Sequence, residues 1–481
     1  MLPKRVERSF LYEQVASKIT QLISQGTIRP GERVPSVRKI SHQQRISIST
    51  ALQAYFLLEN QGLIEARPQS GFYVRTRSLR LPPEPKMTNP PLAATRVGVD
   101  ELVAKVIEAA GNPAIISLGA GTVSTDLFPN QKLTRLLSSV ARRTSLTSNT
   151  YDLPPGNGEL RRQIARRSLE WGGTLSRDEI VITSGCTEAL NLCLRAVAGP
   201  GDIIAVESPT YYVLLQIIES LRMKALEIPT HPRDGLGLDA LTAAIERKAV
   251  RACVIMANHH NPLGSCMPEE NKRNLVSILA RKEIPLIEDD IYGDLFFGTE
   301  RPKPAKAFDS RGLVLLCSSF SKTLAPGYRV GWTAPGRFRV AVERLKMVNT
   351  MGNPVLPQMM IAEFLQSGGY DHHLRKLRRA YANQVQLMSQ AISRSFPEGT
   401  KVTRPLGGFV LWVELPASVD SLQLHREALA RNISIAPGPI FSANQNYRNF
   451  MRLNCGGLWS DRIEQAVAAL GQLVTKLART V

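Results

Sequence analysis

At 481 residues the chain is longer than one ordinary domain and predicts about three units of roughly 150 residues each. Hydrophobic residues at 43% and charged residues at 21% match folded globular protein, which excludes disorder over most of the length. The formal charge of +19 is concentrated at the front: residues 1–77 hold 12 Lys/Arg against 5 Asp/Glu, a net of +7, and the much longer remainder carries +12. Such a basic front segment points to a polyanionic partner.

The six cysteines form no Cys-x-x-Cys pair and accompany no His/Glu cluster, a pattern of free thiols in a reducing compartment with no metal site. No run approaches the ~18 apolar residues needed to span a bilayer, and the basic amino terminus lacks the apolar core of a signal peptide. The expectation is a cytoplasmic protein without a membrane segment.

Taken in chain order, Leu11, Val15, Ile19, Leu22 and Ile23 fall on one helical face that Gly26 and Pro30-Gly31 end. A second helix is predicted from Pro35-Ser36 to about Gln44. A third opens at Ser47, with Leu52, Tyr55, Phe56 and Leu58 expected to face inward and Gly62 as its stop. Residues 63–67, the turn Pro68-Gln69-Ser70-Gly71 and Phe72-Tyr73-Val74 then read as strand, turn and strand. Three helices and a hairpin make a winged helix-turn-helix, whose third helix enters the major groove while the wing touches the backbone.

This stretch resembles the GntR family of bacterial regulators through Gly31-Glu32-Arg33-Val34-Pro35-Ser36-Val37-Arg38 and the later Ala54-Tyr55…Leu58-Glu59…Gly62…Ser70-Gly71-Phe72-Tyr73-Val74. The resemblance implies binding to double-stranded DNA, with Arg33, Ser36, Arg38, Ser47, Ser49, Thr50, Gln53 and Arg67 as contact candidates. Arginines mostly fix position on phosphates, and Ser, Thr and Gln at the start of the third helix read base edges. Ile48 departs from the family pattern, which commonly has Arg there, and offers apolar contact with a thymine methyl in its place.

The next residues, 78–99, contain Pro82, Pro83, Pro85, Pro90 and Pro91 and are expected to form an extended, semi-rigid linker. The domain reading is therefore 1–77, a linker over 78–99, and 100–481. From about Asp100 helical stretches alternate with short β-rich runs at 179–183, 202–206, 252–257, 286–288 and 313–316, which argues for a largely parallel sheet covered by helices.

Residues just past these runs carry the chemistry. Ser184-Gly185-Cys186-Thr187 opens a helix and suits a phosphate. Tyr211 is placed to stack on a flat ring. Asp289 follows the fourth run and can pair with a protonated pyridine nitrogen, while Asn261 and Tyr292 can hydrogen-bond a ring oxygen. The fifth run leads into Ser318-Ser319-Phe320-Ser321-Lys322, a turn holding a lysine able to form an imine with an aldehyde cofactor, with Arg329 seven residues on.

In order and motif, residues of roughly 100 to 478 resemble fold type I pyridoxal-phosphate enzymes of the aminotransferase group. The resemblance implies an α/β fold, with a large subdomain over about 130–350 and a small one over about 351–481. It makes Lys322 the internal aldimine lysine and Asp289 the partner of the pyridine nitrogen. Asn261 and Tyr292 become the ring-oxygen partners, and Tyr211 the stacking ring. Phosphate falls to Cys186, Thr187, Ser319, Ser321 and Arg329, helped by Tyr151 from a neighbouring subunit. Arg452, in Phe450-Met451-Arg452-Leu453-Asn454, grips the α-carboxylate of an amino compound bidentately.

A GntR-type reader joined to such a body resembles the MocR subgroup of GntR regulators, which implies a head-to-tail homodimer. The first expectation is a transcription factor that senses pyridoxal 5'-phosphate or an amino compound through the aldimine. The alternative is an active aminotransferase with an accessory DNA-binding domain. A third reading, a cofactor-binding protein whose reader serves only assembly, has less behind it.

Overall fold

A computed structural model describes residues 11–29, 31–60, 62–67, 70–74, 81–144 and 149–479. The chain forms two compact units, Met1–Leu81 and Pro82–Val481.

In the first unit, α1 (Leu11–Ser24), α2 (Val37–Gln44) and α3 (Ile48–Asn60) precede the antiparallel pair β1 (Ile64–Arg67) and β2 (Gly71–Val74). Ser36 caps α2 by accepting the Lys39 amide at 3.2 Å, and α2 ends on Arg45 in the left-handed region at φ 51°. Gly62, at φ +71°, supplies the left-handed residue just past α3. Val15 and Ile19 of α1 pack on Ala51, Tyr55 and Leu58 of α3, and the Tyr55 hydroxyl ties α3 to the Pro35 carbonyl before α2.

Phe56, expected to face inward, does not, and two residues of the apolar face of α1 are also exposed. Leu11 is 60% exposed, Leu22 37% and Phe56 50%. At about 100° per residue, the face of α3 that buries Ala51, Ala54, Tyr55 and Leu58 turns Phe56 outward. The predicted stop at Pro30, the turn residues Pro68 and Gln69, and residues 1–10 and 75–80 of the domain and linker reading lie outside the described residues.

The second unit is built on a mixed sheet. Its strands are β3 (Ala94–Thr95), β5 (Val181–Thr183), β6 (Ile203–Ser208), β7 (Lys224–His231), β9 (Val250–Ile255), β10 (Leu286–Asp289), β11 (Val314–Ser319) and β12 (Gly331–Ala334), in the order β3-β7-β6-β9-β10-β11-β12-β5. The short β8 (Gly235–Leu236) pairs with β7, and β4 (Ile116–Ser117) lies elsewhere. The central five, β7-β6-β9-β10-β11, run parallel, and β3, β12 and β5 pair antiparallel at the flanks. Period-two alternation splits their side chains between two layers. Ile204, Val254, Ile287 and Leu315 pack under the helix Cys186–Val197, whereas Ala205, Cys253, Leu286 and Val314 face the helices Leu238–Arg247 and Glu269–Arg281.

Farther along, β13 (Lys401–Val402), β14 (Val410–Glu414), β16 (Ala436–Pro437) and β17 (Phe450–Asn454) make an antiparallel sheet in the order β13-β14-β17-β16, while β15 (Ile433–Ser434) pairs in parallel with β4. The long helices Gly369–Ser395 and Asp461–Arg479 pack together beside this sheet.

Residues 82–99 correct the linker expectation. They are extended, as their prolines require, but they lie on the second unit instead of running free. Val402 donates its amide to the Pro83 carbonyl at 2.9 Å. Glu84 meets Arg233 and the Arg404 amide, and Thr88 shares a 2.7 Å hydrogen bond with the Tyr447 hydroxyl. Residues 94–95 form the edge strand β3 on β7. Extended proline-rich chain leaves its backbone groups unpaired, and here an open sheet edge and a polar surface supply their partners. Among the described residues no helix is long and apolar enough to cross a membrane.

Candidate functional site

Carboxyl ends of parallel strands carry the site, as in open α/β sheets generally. Tyr211 follows β6, Asn261 follows β9, Asp289 ends β10, and Lys322 stands three residues past β11. The Lys322 Nζ donates to the Gly121 carbonyl at 2.6 Å. Burial, together with the positive charges of Arg452 and Arg329, pushes its ammonium down from 10.5 to about 8.

Asp289 is 3% exposed, and burial pushes its carboxyl from 3.8 up to about 6 against the opposing pull of two donors. Those donors, the Cys186 thiol at 3.3 Å and the Ile291 amide at 3.1 Å, both meet Oδ1. Cys186 was expected on the phosphate side. Its thiol is turned to the acid, and only its backbone amide, the first of a helix and without a partner inside it, remains available to an anion. Burial also raises the Tyr211 and Tyr292 phenols, which keeps both protonated as donors.

Around the Ser184-Gly185 turn the residues converge into a cup. Arg329 donates Nη2 to the Ser184 carbonyl at 3.1 Å and Nη1 to the Ser321 hydroxyl at 3.3 Å. Ser319 and Ser321 share a 2.8 Å hydrogen bond, and Ser319 also donates to the Val330 carbonyl at 3.1 Å. Gly185 sits at φ +81°, and a Cβ there would strike the Arg329 guanidinium. Gly331 is needed for a similar reason, since its Cβ would fall 2.5 Å from the Gly185 carbonyl carbon. Thr187 is exposed on the first turn of the helix. Tyr151 stands 79% exposed in the loop before Pro155 and does not join the cup of its own chain.

Arg452, on β17, is fully buried. It donates Nη1 to the Asn261 side-chain carbonyl at 3.0 Å and Nη2 to the Gly119 carbonyl, and among the described residues its Nε has no partner. The guanidinium lies 5.2 Å from the Phe441 ring centre and 5.5 Å from that of Tyr212. Among the described residues this buried guanidinium meets two neutral acceptors and two aromatic rings and no carboxylate. Gly119, Gly121, Tyr212 and Phe441 were not foreseen. The glycines act through backbone carbonyls, which carry no residue signature, although the aromatic Tyr212 beside Tyr211 was a readable hint.

In the first unit the predicted contact residues lie before and within α2, at the start of α3 and on β1. Arg33 and Arg38 are exposed, and Ser36 is spent on capping. Ser47 accepts the Thr50 amide at 3.0 Å and shares 2.7 Å hydrogen bonds with the Ser49 and Thr50 hydroxyls. Gln53 is exposed on the same helix. Arg67 is held by its own sheet, donating Nε and Nη2 to Glu65 at 3.1 and 3.0 Å and lying 4.3 Å over the Tyr73 ring.

Residues 11–74 match the family described as bacterial regulatory proteins, gntR family, and residues 113–470 match aminotransferase class I and II. The HTH-type transcriptional regulator YdcR of Escherichia coli (strain K12) is 41% identical over 463 residues, 96% of this chain and 98% of the relative. Among solved structures, kynurenine aminotransferase of Pyrococcus horikoshii, in complex with PMP, is 29% identical with a TM-score of 0.73, over 78% of this chain and 94% of that one. The α-aminoadipate aminotransferase LysN of Thermus thermophilus, complexed with N-(5'-phosphopyridoxyl)-L-leucine, is 27% identical with a TM-score of 0.72, over 80% and 100%. This family and these neighbours indicate pyridoxal 5'-phosphate as the cofactor. The residues present fit it: a glycine-built cup closed by Arg329, a buried acid, a largely buried lysine of lowered pKa and an open guanidinium. The chain is a transcriptional regulator of the GntR family whose helix-turn-helix is fused to an aminotransferase class I and II domain, the MocR-like architecture.

Proposed function

We propose that the second unit is the sensor of this DNA-binding regulator, reading pyridoxal 5'-phosphate and an amino compound that carries a carboxylate. The observation that carries the proposal is Arg452, a buried guanidinium with an unpartnered Nε, set in the same pocket as Lys322 and Asp289. Bound there, the cofactor supplies an aldehyde that links reversibly to amines and a ring that withdraws electrons from them.

Each residue then has a task. Lys322 Nζ, with its pKa lowered to about 8, is the amine held ready for the aldehyde. Asp289 pairs with the ring nitrogen, and Cys186 and Ile291 leave its Oδ2 free for that purpose. Asn261 and Tyr292 serve the ring oxygen, and Tyr211 stacks on the ring. The Cys186 amide, Thr187, Ser319, Ser321 and Arg329 take the phosphate, helped by Tyr151 of the partner subunit in a head-to-tail homodimer. The exposed Tyr151, Leu153, Met347 and Val348 support such an interface. Ligand binding that differs in strength between two arrangements of the dimer shifts the readers bound to DNA.

A second reading, an aminotransferase that also binds DNA, is favoured by one observation. At a pKa of about 8 Lys322 is partly neutral near pH 7 and suited to general-base work. Two measurements separate the readings. A visible absorbance band that appears with the cofactor and is lost in Lys322→Ala supports the cofactor assignment, and an unchanged band overturns it. Turnover of amino acids at ~1 per second or more favours the enzyme over the sensor.

A further inference from the structure

We infer that α3 reads A·T base pairs, with Ile48 packing on a thymine 5-methyl group and Gln53 pairing with an adenine edge. The inference rests on the reader assignment and names what that reader recognises.

The first observation concerns the sequence of the helix itself. From Ile48 to Asn60 α3 carries no lysine or arginine, and its single charged residue, Glu59, accepts the Ala66 amide at 3.1 Å. Guanine is read in the major groove chiefly by Arg or Lys on O6 and N7, so this helix has no guanine anchor. Basic side chains stand around the helix instead, at Arg33, Arg38, Lys39 and Arg45, all exposed, where they fix position on phosphates.

The small hydroxyls at the start of α3 bond to one another. The Ser47 hydroxyl bonds to those of Ser49 and Thr50 at 2.7 Å, and its oxygen also accepts the Thr50 amide. These groups are occupied in closing the first turn of the helix. What α3 presents outward beside Ser49 is Ile48, 57% exposed at the first helical position, then Gln53, then Phe56 at 50%.

Recognition helices put their N-terminal residues on base edges. There a β-branched apolar side chain meets one feature unlike the rest of the groove, the methyl group of thymine, and a glutamine amide matches adenine N6 and N7 bidentately. An exposed isoleucine gains nothing from a phosphate or from water.

The test uses the full-length protein loaded with pyridoxal phosphate to enrich duplexes from a random library, with wild type and Ile48→Arg in parallel. Wild-type sites are expected to hold A·T where Ile48→Arg selects G·C. Replacing the thymine by deoxyuridine removes only the methyl, and is expected to weaken wild-type binding roughly fourfold and leave Ile48→Ala unaffected. Gln53→Ala should relax the preference at a neighbouring A·T pair. Guanine at the Ile48 position in wild-type sites, or deoxyuridine without effect, overturns the inference while leaving the reader assignment intact. Failure of the wild type to enrich any duplex overturns both.

Discussion

Arg452 lies at no measurable exposure between two aromatic rings, and its hydrogen-bond partners among the described residues are carbonyl oxygens. A buried charge without a counter-ion destabilises the protein that holds it, and an arriving carboxylate removes that penalty. Arg452→Ala is therefore expected to retain the cofactor band and to lose at least about 30-fold in affinity for carboxylate-bearing amino compounds, read by calorimetry across a panel of amino acids. Arg452→Lys should restore little, because an ammonium cannot make the paired contact.

Burial of Asp289 has a similar cost, which predicts a pH dependence of stability. Its carboxyl rises from 3.8 to about 6 on folding. Between those values the folded protein keeps a proton that the unfolded chain has released, so stability falls as pH rises through the window and stays lowered above it. Asp289→Asn imitates the protonated acid. Cofactor-free Asp289→Asn should melt higher than wild type at pH 7, by up to about 3 kcal/mol in stability, and lose that advantage near pH 4. With cofactor bound the order should reverse, because the variant cannot hold the ring nitrogen's proton.

Glu65 accepts from Arg67 Nε and Nη2 along β1. Glu65→Gln should free Arg67, tighten DNA binding and steepen the log–log salt dependence by about 0.9, one additional phosphate contact. An unchanged slope would mean that Arg67 does not reach DNA. Residues 82–99 are docked through Glu84, Thr88 and β3, and are expected to resist limited proteolysis in the intact protein. The double variant Glu84→Ala, Thr88→Val should make them cleavable while leaving the cofactor band in place.

The same elements separate what was readable from what was not. Lys322, Asp289, Asn261 and Tyr292 were singled out because each stands at or just past the end of an apolar run, and in the fold those run ends are the carboxyl ends of parallel strands. The prolines of 82–99 correctly indicated extended chain, but composition does not show which sheet edge will accept it. Phe56 was misplaced because a short helix carrying Leu52, Tyr55, Phe56, Leu57 and Leu58 has more apolar residues than one face can bury. Cys186 was assigned to the phosphate through the family resemblance and the free amides of its turn, and the contact of its thiol with Asp289 comes from a residue 103 positions away.

Across the whole molecule, a basic reader and a cofactor site are parts of one chain, and the regulator related to it is similar over 96% of its length. Neither part alone distinguishes a sensor from an enzyme, because Lys322 serves both. The distinction lies in whether cofactor chemistry changes DNA binding. The most direct measurement is the affinity of full-length protein for its enriched duplex, by fluorescence anisotropy, without cofactor, with pyridoxal phosphate, and with pyridoxal phosphate plus an amino acid that alters the visible band. The account predicts at least a fivefold shift, about 1 kcal/mol of coupling, for wild type and none for Lys322→Ala. Identical affinity in all three states, with amino-acid turnover of ~1 per second or faster, would contradict it.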